Sequence, residues 1–362
     1  ISREQAKLGA EKARHLPVRF ELADYRQFNP ESEQRFDRIA LRGGSHDSFF
    51  WMGEPANPPM SGFKGEAMYL RTPVMDDLHL NMGHAAPHCR YVQLWMNGRY
   101  HGLYHWREYP SDDFMASYRG GSSDEYDFTN GANTSENGSA TWQATWRKLR
   151  TAMVAGYGEA ARWIDLPQFA DFMILNFWAG NAWDWNPNQN WMAAGPKLPD
   201  RGGWNFFSYD NDVIWNDANA NLTIPTAPYY VNTPRSGVMP PDGLMVTTAT
   251  NDVTLMDHAE FRILFRDRVY KAFFHGGVLE PERAQSILDH RVNELRLPLV
   301  AETARWQPAA ATRMPWDRDG EWMTEIKRIR DSFIPSRPTA VLNQIRARGW
   351  YPVEAPEFAK HG

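Results

Sequence analysis

The sequence predicts an α+β fold in which strands come first and helices come later. Alternation of apolar and polar residues, typical of strands, is concentrated before residue 110, and apolar residues at three- and four-residue steps dominate after residue 140. A polar, aromatic stretch between residues 180 and 257 interrupts the helical part. This order indicates a strand-rich lobe followed by a separate helix-rich lobe.

The first elements are predicted from alternation, proline and glycine. Residues 18–22 alternate as a strand does, and a second strand is predicted at 36–42, ending on two glycines. Residues 51–65 contain three prolines and three glycines, which predicts a surface loop. Residues 66–83 follow helical spacing, and Pro73 is expected in the first turn of that helix or at a kink.

A β-hairpin gives the strongest local pattern in the chain. Asn97 and Gly98 separate two runs of strand-forming residues, 91–96 and 99–104. An Asn-Gly pair supplies the positive φ angles that a type I′ turn requires, so the two runs are expected to pair as antiparallel strands. The second strand is expected to continue to Glu108.

The rest of the chain is predicted to be mainly helical. Residues 119–140 are rich in Gly, Ser, Asn and Asp, which predicts a lobe boundary or a long loop, and 204–209 resembles a strand. Pro298 should interrupt one of five stretches with helical spacing. These stretches are 142–155, 166–178, 260–274, 281–305 and 322–334. The late arginines are expected on the solvated face of the last helices, with a partner-docking patch as the alternative: Arg328, Arg330, Arg337, Arg346 and Arg348.

Composition excludes several classes of protein. The chain has 362 residues and a formal net charge of −5, which argues against a basic nucleic-acid binder. No apolar run approaches the ~18 residues of a membrane span. A single cysteine, Cys89, leaves no internal disulfide. The first residue is isoleucine, and no signal-peptide pattern follows, so the chain is expected to be a fragment of a longer protein.

Two acidic loops are the best candidates for chemistry. Asp184 lies among five amide side chains directly after an apolar helix, and the motif Asp210-Asn211-Asp212 follows the short strand-like run. Such a carboxylate suits either proton acceptance from a hydroxyl or the binding of a hard cation through oxygen. Asp210 with Asn190 would suffice for Mg²⁺ once a nucleotide supplies further oxygens. Alternatively, these residues only form turns.

Eight stretches resemble, in order, successive motifs of the CotH kinase family of spore-coat proteins. They are RGGSHDS at 42–48, YLR at 69–71, NGRYHGLY at 97–104, GNAWDW at 180–185, YDND at 209–212, RDRVYK at 266–271, ETARW at 302–306 and RARGWYP at 346–352. The last three resemble the large secreted bacterial branch of the family. Because the resemblance extends over residues 36–352, it is more specific than any single motif.

The resemblance implies a bilobal atypical protein-kinase-like fold, with a small lobe at 1–118 and a large lobe at 119–362. It implies transfer of the γ-phosphoryl group of ATP to Ser or Thr of a protein substrate, with Mg²⁺ as the metal. It also implies a location outside the cytoplasm, although no single residue of the chain argues for that.

The resemblance also assigns roles to individual residues. Asp184 would orient or deprotonate the acceptor hydroxyl, and Asp210 and Asp212 would bind metal. Asn190 would complete the metal site, with Asn188 as the competing choice. The neighbourhood of Glu108 would contact adenine at a hinge, although a solvated glutamate at a strand end is an equal alternative.

One departure from the family pattern bears on activity. The lysine that follows the Arg-Gly-x-Ser motif in these kinases is missing, and the nearest lysine is Lys64. Arg42 could replace its charge, although a guanidinium and an ammonium group are not equivalent partners for phosphate. A catalytically inactive module that binds carbohydrate or protein is therefore the alternative function. Glycoside hydrolysis by Asp184 and Asp210 is a third.

Overall fold

The computed structural model describes residues 38–44, 47–49, 67–131, 142–181, 190–223, 242–245, 253–310 and 317–352. In this part of the chain, two three-stranded antiparallel sheets are combined with a larger number of helices. The predicted α+β class is therefore confirmed.

The first sheet is built around the predicted hairpin. Its strands are β1 (Ile39–Arg42), β2 (Cys89–Met96) and β3 (Arg99–Glu108), in the order β1-β3-β2. Asn97 and Gly98 both have positive φ angles, 50° and 74°, as a type I′ turn requires. The hairpin and its extension to the end of β3 are confirmed, and β3 is the central strand.

The second sheet lies wholly in the later part of the chain. It contains β4 (Tyr126–Asn130), β5 (Trp191–Pro196) and β6 (Asn205–Ser208), in the order β4-β5-β6. The predicted strand at 204–209 is confirmed by β6. The prediction of a loop over 119–140 is wrong for β4, whose residues are almost all buried. Local composition could not reveal this because pairing with β5 stabilises the strand.

Helices make up most of the remaining described chain. They are α1 (Arg71–Asn81), α2 (Asp112–Arg119), α3 (Trp142–Ala155), α4 (Tyr157–Trp163), α5 (Leu166–Ala179), α6 (Asp242–Met245), α7 (Ala259–Phe273), α8 (Pro281–Leu295), α9 (Pro298–Ala310), α10 (Met323–Arg328) and α11 (Ile334–Ala347). Pro73 lies in the first turn of α1, and Pro298 starts α9, so both proline predictions are confirmed.

The ends of α5 follow from its sequence. The Asp165 side chain accepts a hydrogen bond from the backbone N–H of Gln168 at the N-terminus, 3.2 Å away. Gly180 ends the helix in the left-handed conformation, with φ 63°. Nearly every residue of α5 is buried, as expected of a helix that is apolar all round.

One apolar core connects the two parts of the chain. It includes Leu70 and Leu103 from before residue 118, and Phe172, Trp215 and Ile345 from after it. Many of the tryptophans therefore serve the core rather than an exposed surface. The predicted division at residue 118 remains a prediction, and it does not coincide with a break in this core.

Several predictions fall on residues that the structure does not describe. The strand at 18–22 and the loop at 51–65 lie outside the described residues, as do residues 132–140. Within the described part, no helix is both long and apolar enough to span a bilayer.

Candidate functional site

The end of β1 meets the segment that follows β6. The guanidinium Nη2 of Arg42 lies 2.9 Å from a carboxylate oxygen of Asp212, and it also pairs with Asp210. Arg42 donates a further hydrogen bond, from Nη1, to the hydroxyl of Thr72 on α1 at 3.2 Å. The Asp212 side chain is 3% exposed, whereas that of Asp210 is 22% exposed. The structure therefore brings together three of the residues predicted to form a site.

Backbone geometry and one hydroxyl fix the acidic motif. Asp210 has a φ of 55°, a conformation that non-glycine residues adopt rarely and that is concentrated at functional sites. The hydroxyl of Thr72 accepts a hydrogen bond from the backbone N–H of Asn211 at 3.1 Å. Because Thr72 also binds Arg42, α1 holds both the cation and the acidic motif in position.

A pair of asparagines joins the two predicted loops. Asn181 follows α5 and donates from its side-chain amide to the Asn211 side chain at 2.9 Å. Both residues are buried. Asn181 is three residues before Asp184 in the sequence, and it lies beside the motif that carries Asp210. Asp184 itself and Asn188 lie outside the described residues.

The strand register places Asn190 at the same end of the second sheet. Trp191, the first residue of β5, is paired with Ser208, the last residue of β6. Because the two strands are antiparallel, Asn190 and the segment containing Asp210 leave the sheet on the same side. Asn190 therefore lies at the sheet edge from which the acidic motif extends.

Glu108 is buried rather than solvated. It is 1% exposed, and its carboxylate accepts hydrogen bonds from the His88 backbone N–H and the Tyr118 hydroxyl, both at 2.8 Å. The His88 ring lies at the same distance. The interpretation of Glu108 as a solvated glutamate is wrong, because its own strand end is covered by α2 and the start of β2. Contact of its neighbourhood with adenine remains a prediction.

A buried charge network behind the motif was not predicted. Arg71 pairs with Asp47 and, at 3.3 Å, with Glu325. All three side chains are at most 2% exposed. Burial, aided by the nearby charge of Asp212, raises the pKa of Asp47 to about 7 against the attraction of Arg71. Asp47 belongs to the RGGSHDS motif, which was a usable signal, but no sequence pattern indicated its distant partners.

His105 faces Arg42 across the first sheet, since the two residues are directly paired on β3 and β1. Its Nε2 lies 2.9 Å from the Tyr69 carbonyl and so donates to it. Burial, together with the positive charge of Arg42, lowers the pKa of His105 to about 3. The ring is therefore neutral near pH 7, and its Nδ1 has no hydrogen-bond partner among the described residues.

The oxygen atoms gathered here suit Mg²⁺ better than a transition metal. The described residues contain no group of three or more His, Cys, Asp or Glu side chains arranged to hold a metal. Mg²⁺ does not require such a group, because it is usually bound by one or two carboxylates together with phosphate oxygens and water. Asp210, Asp212 and Asn190 therefore carry the kind of oxygen ligand that Mg²⁺ prefers.

This combination of fold and site defines a class of protein. It combines an acidic motif after β6, an asparagine directly before β5 and an arginine at the end of β1, on the other sheet. The model of the CotH kinase protein family matches residues 64–156 and 149–341. Since these matches cover more than half of the chain, the protein belongs to the CotH kinase family. No curated protein matches the chain.

Proposed function

We propose that the protein transfers the γ-phosphoryl group of ATP to a serine or threonine hydroxyl of a protein substrate, with Mg²⁺ bound to the nucleotide. The observation that carries this proposal is the convergence of Asp210 and Asp212 with Arg42 at adjoining ends of the two sheets. Phosphoryl transfer depends mainly on positioning and on neutralisation of charge, so a site of carboxylates, amides and one cation suits it.

Each residue has a role in this proposal. Asp210, Asp212 and Asn190 would hold Mg²⁺, which neutralises the charge of the phosphates when it is bound. Arg42 would bind phosphate oxygens with its planar fork of donors. Asp184 would orient the acceptor hydroxyl and take its proton. The bilobal arrangement, with ATP between the lobes, and the location outside the cytoplasm are part of the proposal, and the family resemblance is their support.

The charge balance supports a cation site. Two carboxylates at Asp210 and Asp212 face one guanidinium, so this group of three carries a net negative charge. Behind it, Arg71 pairs with Asp47 and Glu325, so its positive charge is already matched by carboxylates of its own. An excess of negative charge in a partly buried place favours a divalent cation, since Coulomb attraction is stronger there than in bulk water.

A thermal-shift and transfer experiment tests the proposal. Mg·ATP should raise the melting temperature of the protein, and either component alone should raise it less. Radiolabelled phosphate should pass to an acceptor protein or to the chain itself. Asp184→Asn should reduce transfer by about a hundredfold or more, in line with the loss of a general base, while binding persists. Unchanged transfer by Asp184→Asn would refute its role, and the absence of any Mg·ATP stabilisation would refute the nucleotide site.

One observation favours an inactive binding module as the second candidate. The expected lysine is missing, and Arg42, which would supply its charge, is already paired with both acidic residues of the motif. A scaffold that has lost phosphoryl transfer could keep this contact for stability alone. Stabilisation by oligosaccharides but not by Mg·ATP, in the same thermal-shift assay, would favour this candidate.

A further inference from the structure

The late helices contribute two arginines that bind main-chain carbonyls around the candidate site. Arg328, on α10, donates from Nη2 to the carbonyl of Trp215 at 2.8 Å. Arg337, on α11, donates to carbonyls of two separate segments. Its partners are Phe177, Trp178, Ala218 and Ala220. The prediction that Arg337 lies on a solvated face is wrong, because it is fully buried.

The carbonyls that Arg337 binds lie beside the two segments that would carry the chemistry. Phe177 and Trp178 are in the last turn of α5, a few positions before Asp184 in the sequence. Ala218 and Ala220 follow the acidic motif by a few residues. Carbonyls at the C-terminus of a helix have no partner within it and carry partial negative charge, so a guanidinium is well suited to them. The side chain of Arg337 therefore links the end of α5 to the segment that follows the acidic motif.

Arg328 and its neighbours hold the backbone directly after the acidic motif. Trp215 has a φ of 67°, and its N–H donates to the carbonyl of Ala179 at 3.0 Å. The preceding carbonyl, of Ile214, accepts from Arg71 at 3.2 Å. Glu325 binds Arg71 and Arg328 at once, which orients both guanidinium groups. The two consecutive carbonyls of Ile214 and Trp215 are thus each held by an arginine.

We propose that Arg328 and Arg337 are positioning residues, which fix the backbone that bears Asp210 and Asp212 against the end of α5. The importance of this positioning for catalysis rests on the proposed function. Neither arginine belongs to the acidic motif, and both act through main-chain carbonyls. Loss of either contact should let the segment 210–220 shift, so that the carboxylates no longer converge.

The first test measures amide hydrogen exchange in peptides covering 210–220, with no nucleotide present. In the Arg328→Ala variant, the amides of this segment should exchange about tenfold faster, because the charge-assisted hydrogen bond to the Trp215 carbonyl is lost. The exchange rates in α8 should be unchanged. Arg328 suits this test because its side chain is 34% exposed, so the substitution leaves no large cavity. Arg330→Ala is the matched control, since Arg330 pairs only at the surface with Asp289 and Asp331.

The second test measures binding of Mn²⁺ with a non-hydrolysable ATP analogue, by electron paramagnetic resonance. Arg328→Ala should weaken Mn²⁺ binding by about tenfold. Arg337→Lys keeps the positive charge but loses the planar guanidinium with its several donors, so it should weaken Mn²⁺ binding similarly. The Arg330→Ala control should bind Mn²⁺ with the same affinity as the unmodified protein. Equal binding by Arg328→Ala and Arg330→Ala, or unchanged exchange in 210–220, would overturn the positioning role. If the unmodified protein binds no nucleotide, the proposed function fails, and the exchange result alone decides whether the arginines hold the segment.

Discussion

The guanidinium of Arg42 lies 2.9 Å from Asp212 and contacts Asp210 through the same nitrogen. It thus occupies the space between the two carboxylates that would bind a metal. A divalent cation and Arg42 must compete for these oxygens unless phosphate groups draw the guanidinium away. Arg42 can therefore influence the order in which metal and nucleotide bind.

Arg42→Ala should change metal binding and nucleotide binding in opposite directions. Mn²⁺ alone should bind about tenfold more tightly because its competitor is gone, and ATP should bind about tenfold more weakly because a phosphate partner is lost. Isothermal titration calorimetry with each ligand separately measures both. Arg38→Ala, which removes a nearby arginine that pairs with Asp113, is the control and should change neither. If Arg42→Ala weakened the binding of both Mn²⁺ and ATP, Arg42 would not compete with the metal.

Asp210→Asn should weaken binding of Mg·ATP while leaving the fold intact. Asparagine tolerates the left-handed conformation of this position, so the backbone need not change. Loss of one charged ligand should raise the dissociation constant by at least about tenfold. Calorimetry with and without Mg²⁺ measures the effect. Asp217→Asn is the control, since Asp217 lies in the same loop but is exposed and accepts from the Asn219 backbone N–H. Equal affinities for the two variants would remove Asp210 from the metal site.

Elements with strong local chemistry were predictable from the sequence. The Asn-Gly pair determined the hairpin because only positive φ angles close a two-residue turn of that twist. Pro298 separated α8 from α9 because proline cannot donate to the preceding turn. The convergence of Arg42 with Asp210 and Asp212 was reached through the family resemblance rather than through spacing.

Elements that depend on distant partners could not be predicted. The strand β4 has two polar residues, Asp127 and Thr129, that are buried by pairing with β5, more than sixty positions later. Arg337 looks like any surface arginine in a helix until its carbonyl partners are known, and those are separated from it by 117 to 160 residues. Local pattern carries no information about such contacts.

His105 should make the fold sensitive to acid. Its pKa is about 3 in the folded chain and 6.5 in the unfolded chain, so between these values the unfolded state binds more protons. Stability contributed by the neutral ring is complete above pH 6.5 and falls as the pH drops towards 3, by up to ~1.4 kcal/mol per pH unit. His105→Gln keeps a donor for the Tyr69 carbonyl and removes this proton uptake. The free energy of unfolding, measured with urea at a series of pH values, should therefore fall less steeply with decreasing pH for the variant. An equal pH dependence for the two proteins would contradict the prediction.

Glu302, on α9, should be a main stabiliser of the hairpin. It is 1% exposed and accepts hydrogen bonds from the hydroxyls of Tyr69 and Tyr100, the backbone N–H of Leu103 and the indole N–H of Trp306. The four distances lie between 2.5 and 2.8 Å. A charged acceptor surrounded by donors is strongly favoured where water is excluded. Burial is the main cause that raises the pKa of Tyr69, and the contact with Glu302 raises it as well.

Glu302→Gln retains the shape of the side chain but replaces one acceptor oxygen by an amide that faces donors. The free energy of unfolding should fall by about 2–3 kcal/mol, since charge-assisted hydrogen bonds are lost and a buried donor is left without a partner. Glu294→Gln is the control, because Glu294 is 34% exposed and its partner Arg291 also binds Asp77. That variant should lose no more than ~0.5 kcal/mol. Similar losses for the two variants, measured by urea unfolding, would show that α9 does not hold the hairpin through this carboxylate.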